Sequence, residues 1–194
     1  MHIGLISDTH IPEARSELWP QVFEAFRDVE LILHGGDIYE LGLLDELERI
    51  APVHAARGNG EDGSGGRRPI APDDRRLKEV WLLELGGLKV GLTHELPVPE
   101  VPPMFTVERY VKRLFPTGAP DVLVYGDTHV EEIGVINGIL CVNPGSPTYP
   151  HGLEIQFGTI GFLDIENGQA SASIWRITPE GIEPFDWSTW PRPR

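Results

Sequence analysis

The feature that most constrains this chain is where its short apolar runs stop. Five runs of strand-forming residues end directly in Asp, Asn or His. Ile3–Ser7 runs into Asp8-Thr9-His10, Leu31–His34 into Gly35-Gly36-Asp37, and Pro52–Arg57 into Gly58-Asn59. Leu88–Thr93 runs into His94, and Asp121–Tyr125 into Gly126-Asp127-Thr128-His129. Helical patterns separate the first three runs. Ser16–Arg27 places Trp19, Phe23 and Phe26 on one face, with Ser16 as its expected cap and Pro20 tolerated in the first turn. Glu40–Ile50 repeats Leu44, Leu47 and Ile50 at helical spacing. Strands that alternate with helices imply a parallel arrangement, and the carboxyl ends of parallel strands converge on one edge, where ligands bind. These polar residues are therefore expected to meet.

The rest of the chain changes character. Gly58–Asp74, rich in glycine and without periodicity, reads as an exposed loop. With Arg57, its Arg67 and Arg68 are candidates for a phosphate clamp, although loop arginines are more often simply solvated. Leu77–Leu85 and Leu88–Thr93 flank a Gly86-Gly87 turn, and the proline-rich Leu96–Met104 is a rigid connector. Thr106 then caps a helix bearing Val107, Tyr110, Val111 and Leu114. Two Asn-Gly hairpins follow: Glu132–Ile136 with Ile139–Val142, and Phe157–Ile165 with Gln169–Ile177. The pattern predicts an α/β fold with mixed sheets in two layers and helices outside. The 194 residues fit a single domain spanning 1–194. Residues 178–194, with Phe185, Trp187 and Trp190, form an extended C-terminal tail that packs on the body or on a partner copy, so a homo-oligomer stays open.

Composition narrows the function. Hydrophobic residues make up 40% and charged residues 24%, as in ordinary globular proteins. No apolar run approaches the ~18 residues of a membrane span. The first residues, Met1 to Asp8, carry no basic segment or cleavage site, so the expected location is cytoplasmic. Thirty acidic against 16 basic residues give a net charge of −14, which argues against a nucleic-acid partner and leaves a small phosphorylated substrate easier to admit. The single cysteine, Cys141, lies in an apolar run and is expected to be a buried thiol.

Gathered at one edge, the strand ends supply three carboxylates (Asp8, Asp37, Asp127), three imidazoles (His10, His94, His129) and the Asn59 amide. One ion cannot use such a set and keep an open position, whereas two ions sharing a carboxylate can. The motifs D-x-H, G-D, G-N, a strand-end His and G-D-x-H, followed by Asn143-Pro144-Gly145-Ser146, resemble in order those of the calcineurin-like metallophosphoesterase family, most of all its small prokaryotic phosphodiesterase-type members. The resemblance implies a four-layer αββα sandwich of two mixed β-sheets flanked by helices. It also implies a dinuclear metal-dependent phosphoesterase, a phosphodiesterase or phosphatase, in which a metal-bridging hydroxide attacks small phosphate esters. Asp8, His10 and His129 would hold the first ion, Asp37 would bridge, and Asn59, His94 and Asp127 would hold the second. The expected cofactors are two divalent ions, Mn²⁺ first, with Fe, Ni, Zn or Mg as other occupants. A catalytically weak scaffold on the same fold, like the retromer subunit that resembles these enzymes, is the alternative.

Two positions depart from the family pattern. Gly60 stands where the family often has His or Cys, removing the side chain best placed to protonate a leaving group; Glu61, His34 and His54 are the nearest candidates to replace or support it. Gly58-Asn59-Gly60-Glu61-Asp62-Gly63 also matches a dinucleotide fingerprint, but the following Ser-Gly-Gly-Arg-Arg-Pro cannot start the required helix. Asp127 stands where the family most often has His, adding a negative charge that should weaken phosphate capture and favour Mn²⁺, Mg²⁺ or Fe²⁺. The variant Asp127→His is expected to bind inorganic phosphate more tightly by calorimetry; unchanged phosphate and metal affinities would refute this charge argument.

Overall fold

The computed structural model describes residues 1–66, 68, 74–151 and 157–188. In chain order the elements are β1 (His2–Ile6), α1 (Pro20–Ala25), β2 (Leu31–His34), α2 (Gly42–Glu48), β3 (Val53–Ala56), α3 (Asn59–Asp62), β4 (Leu77–Lys78) and β5 (Trp81–Leu85). They continue with β6 (Leu88–Leu92), α4 (Val107–Leu114), β7 (Val122–Val124), β8 (Glu132–Ile136), β9 (Ile139–Asn143), β10 (Thr159–Glu166), β11 (Gln169–Thr178) and β12 (Gly181–Pro184). One sheet runs β12-β11-β10-β1-β2-β3-β4 and the other β5-β6-β7-β9-β8. Both are mixed. β1 to β4 pair in parallel, as do β6, β7 and β9, while the remaining pairs are antiparallel.

Alternation along the central strands explains the layering, since successive side chains point to opposite faces. Ile3 and Leu5 of β1 and Leu31 and Leu33 of β2 meet Val90, Leu92, Val122 and Val124 of the second sheet in a core between the sheets. Ile6 and Ile32, from the opposite face, pack with Val22 and Phe26 under α1 and with Leu44 and Leu47 of α2. On the far side Leu123, Tyr125 and Cys141 pack against Val107, Val111 and Phe115 on and beside α4. The result is helix, sheet, sheet, helix. Strands buried on both faces read as continuous apolar runs, as these do.

Several expected boundaries move for local reasons. The first helix begins at Pro20 with Trp19, not Ser16, in the capping position. The proline disfavours helical geometry at the preceding residue and is itself best placed in a first turn. The second helix shrinks to Gly42–Glu48. The stretch expected as one strand, Leu77–Leu85, is two: Leu77–Lys78 closes the first sheet, and Trp81–Leu85 opens the second. The chain crosses between layers there, and the Trp81 indole N–H donates to the Ala55 carbonyl at 2.9 Å. Both Asn-Gly turns form, with Asn137, Gly138, Asn167 and Gly168 all at positive φ. The described part of the C-terminal segment, residues 178–188, joins the body of the fold. β12 is the outer strand of the seven-stranded sheet, and Phe185 is buried in the inter-sheet core with Trp187 packed against it. Trp190 and Arg67 lie outside the described residues.

Candidate metal centre

All seven residues expected from the strand ends converge. Asp8 and His10 follow β1, Asp37 follows β2, Asn59 opens α3 after β3, His94 follows β6, and Asp127 and His129 follow β7. Donor atoms of Asp8, His10 and His129 lie within 4.8 Å of one another, as do those of Asp8, Asp37 and His94. Asp37 faces both sides, with Oδ2 3.4 Å from His10 Nε2 and Oδ1 3.6 Å from His94 Nε2. Asn59 Oδ1 lies 3.0 Å from His94 Nε2, and Asp127 Oδ1 lies 3.7 Å from the same nitrogen. Asp8 is fully buried, whereas the Asp127 side chain is 42% exposed and stands at the rim.

The donors are aimed by neighbours that fix their orientation. His94 Nδ1 donates to the Gly35 carbonyl at 2.7 Å and His129 Nδ1 to the Tyr149 carbonyl at 2.6 Å, so in the neutral rings each Nε2 presents a lone pair inward. The Asn59 amide N–H donates to Ser64 Oγ, turning its oxygen to the centre. Across the same space His10 Nε2 faces His129 Nε2 at 3.2 Å. Asp8 Oδ2 is buried without a well-formed hydrogen bond. Burial pushes the Asp8 carboxyl up to about 6, with His94 and His129 pulling the other way. Burial opposes protonation of His94, but Asp8 and Asp37, the Gly35 carbonyl and Asp127 outweigh it and raise its pKa. Clustered lone pairs and a poorly compensated buried carboxylate are what divalent cations would satisfy, so the residues fit the metals.

The backbone is forced here. Asp8, His10, Asp37, Asp127 and His129 all have positive φ, a region that non-glycine residues adopt at a cost and that clusters at functional sites. The glycines before Asn59 and Asp127 lie in close contact with neighbouring loops. A side chain at Gly58 would collide with Asp37, and one at Gly126 with Ser7 and Asp8. The space they spare is taken by ligands on neighbouring loops.

Glu61 and His34 each make hydrogen bonds that support the loops of the site. The fully buried Glu61 carboxylate accepts N–H bonds from Asp37, Ile38, Tyr39 and Gly58 at 2.8 to 2.9 Å, stapling the loop after β2 to the loop after β3. Burial raises its pKa, against the opposing effect of those N–H groups. His34 Nδ1 accepts from the Gly36 N–H, which leaves Nε2–H to donate to Thr9 Oγ1 at 3.1 Å. Burial holds it down at about 3, so it stays neutral. His54 packs at a tilt against the Trp81 ring, with centroids 4.1 Å apart. Asn143 and Ser146 are also supports: Asn143 Nδ2 donates to the Gly126 carbonyl, and Ser146 Oγ to the Asp8 carbonyl at 2.7 Å.

Sequence reasoning missed Tyr39. A side chain at Gly60 would run into the Tyr39 ring, so the phenol occupies the place that the family's His or Cys would claim. Tyr39 lies edge-on to His10, with ring centroids 4.5 Å apart, and has a positive φ of 79°. Burial, then Asp37, Glu61 and Asp8, raise its pKa. Its only sequence signal was a bulky residue two positions after Asp37 in an otherwise glycine-lined region. Tyr149, 59% exposed, flanks His10 and His129 from the other side.

Two mixed sheets with helices outside, and a cage of oxygen and nitrogen donors at their strand ends, define a metal-site α/β sandwich. Residues 1–168 match the model of the calcineurin-like phosphoesterase superfamily domain, and the chain belongs to that metal-dependent family, in its small prokaryotic subgroup. It is 41% identical over 150 residues to a probable metallophosphoesterase of Methanothermobacter thermautotrophicus, covering 77% of this chain and 79% of that protein. Among solved structures, it resembles vacuolar protein sorting 29 of Cryptosporidium parvum at 20% identity and a TM-score of 0.73, covering 94% of each chain. It also resembles a novel archaeal phosphodiesterase at 26% identity and a TM-score of 0.59, covering 90% of this chain and 99% of that one.

The staple at Glu61 can be tested directly. Glu61→Gln turns an amide N–H₂ toward backbone donors and should destabilise the protein by about 2–3 kcal/mol, the cost of breaking a buried charged hydrogen-bond network. Denaturant unfolding with no loss of stability would show that the carboxylate is not needed there.

Proposed function

We propose that this chain is a dinuclear metal-dependent phosphoesterase, of phosphodiesterase type, acting on small phosphate esters. The observation that carries the proposal is the pair of donor groups built on Asp8, one with His10 and His129 and one with Asp37 and His94. Asp37, with one oxygen toward each side, would bridge; Asn59 and Asp127 would complete the second position. Bound there, two divalent cations would supply Lewis acidity toward phosphoryl oxygens and a nucleophile at neutral pH. The donor set has oxygen and imidazole nitrogen but no thiolate, which suits Mn²⁺ and admits Fe, Ni, Zn or Mg.

The chain's own groups decide which esters react well. Tyr39 holds its proton at the phenol oxygen and can hydrogen-bond to a substrate oxygen. A phenol with a raised pKa is poorly matched to protonating a leaving group near neutral pH. Esters whose leaving groups need no proton should therefore be favoured. Gly60 and the rim position of Asp127 also favour the alternative, a catalytically weak scaffold, and one assay separates the two.

With Mn²⁺, the protein is expected to take up close to two ions per chain and to hydrolyse bis(p-nitrophenyl) phosphate much faster than alkyl monoesters. Chelation should abolish that activity, and Asp37→Asn should lower kcat/KM about 100-fold or more. Turnover indifferent to chelator would end the metal reading, and metal uptake without turnover would favour the scaffold.

A second prediction concerns the exchange between Tyr39 and Gly60. Gly60→His alone should clash with the Tyr39 ring and destabilise by about 1–3 kcal/mol. Combined with Tyr39→Ala, it should recover stability and raise turnover of esters with poor leaving groups. Thermal melts and rates for the four proteins of this double-mutant cycle check both claims; additive effects would refute the shared space.

A further inference from the structure

A cavity of about 600 Å³ adjoins the metal centre, with Asp127 in its wall. That is far more room than a phosphate group needs and lies in the range of pockets that hold whole small molecules. Its apolar surface comes from Leu96, Pro97, Met104, Phe105 and Tyr110. Met104 and Phe105 are 69% and 61% exposed, although both are large apolar side chains. They sit on a structured strap: Val101 and Phe105 exchange backbone hydrogen bonds of 2.8 and 3.0 Å, and Val107 N donates to Glu100 Oε1 where the strap enters α4.

The cavity is balanced in charge, with two arginines and two carboxylates in its wall, in a chain of net charge −14. Arg109 and Arg113, one turn apart on α4, both line it. Neither has a carboxylate within ion-pair distance among the described residues, in a chain with 30 acidic and 16 basic residues. Arg109 Nη1 donates to the Pro103 carbonyl, and the Arg113 guanidinium stands over the Tyr110 ring at 4.7 Å. The negative groups of the cavity, Glu95 and Asp127, both come from loops at the strand ends. Arginine with spare N–H donors beside aromatic and apolar surface is suited to a planar or apolar group carrying an anion.

We infer that this cavity is the subsite for the ester substituent, and that the preferred substrate carries an aromatic or nucleobase-like group with a second anionic group, phosphate above all, held by Arg109 and Arg113. The inference rests on the phosphoesterase reading for the position of the scissile phosphate. It places a second, non-reacting phosphate beside α4. The two arginines act on binding and take no part in the bond that breaks.

The test uses the full chain loaded with Mn²⁺ and two readouts. Calorimetry compares thymidine 3′,5′-bisphosphate, thymidine 5′-monophosphate and inorganic phosphate. Kinetics compare thymidine 5′-(p-nitrophenyl phosphate) with and without a 3′-phosphate. The bisphosphate should bind roughly tenfold more tightly than the monophosphate, and Arg109→Gln with Arg113→Gln should erase that difference while leaving inorganic phosphate affinity unchanged. KM should rise by a similar factor for the 3′-phosphorylated ester alone. Because Arg109 also holds the strap, Arg113→Gln alone is the second variant and should give part of the same loss. Equal affinity of the wild-type protein for mono- and bisphosphate, or a double variant that keeps the preference, would overturn the subsite whether or not esters are hydrolysed. Hydrolysis of neither ester, with the bisphosphate preference and its loss in the variants intact, would instead sink the catalytic reading and leave the subsite standing.

Discussion

Everything at the working end of this protein depends on holding together groups that repel. Three carboxylates and three imidazole nitrogens point lone pairs at a shared volume, and the most central of them, Asp8, is fully buried. Taking a carboxylate out of water with one oxygen unsatisfied is costly, so the fold must oppose the expansion that would relieve it. It does so with hydrogen bonds to backbone. Glu61 ties together the loops that carry Asp37 and Asn59, while Ser146 and Asn143 bind the loops after β1 and β7. The ligands themselves adopt positive φ, so backbone strain adds to the load that these supports carry.

Much of this was legible because the relevant signals are local. A short apolar run followed by Asp, Asn or His, often after glycine, marks both a strand end and a candidate ligand, and all five such runs deliver their residues to one place. The layer order was legible for a similar reason: alternating helices and runs, then Asn-Gly hairpins, leave few arrangements. What stayed hidden depended on partners far away in the chain. Nothing near Leu77–Leu85 announces that the strand divides between two sheets, since that follows from how the layers dock. The role of Gly60 was half-visible. Its missing side chain stood out, but its occupant, Tyr39, comes from another loop 21 positions earlier. Glu61 was noticed as an acid, yet its four backbone donors exist only once two loops meet.

The exchange of a polar side chain at position 60 for the Tyr39 ring also shows how a site can keep its cage and change its chemistry. Seven donors remain together, while the group beside them becomes a phenol that keeps its proton. The walls of the adjoining cavity are made by other elements. Those walls belong to the proline-rich strap and α4, which stand outside the inter-sheet core, α4 packing instead on the outer face of the second sheet.

The donors do not come from one sheet. Asp8, His10, Asp37 and Asn59 belong to the seven-stranded layer, and His94, Asp127 and His129 to the five-stranded one. Neither half carries all seven donors. The centre can therefore mature only after the layers have docked, and a misaligned pair of sheets could look well folded and still be chemically silent.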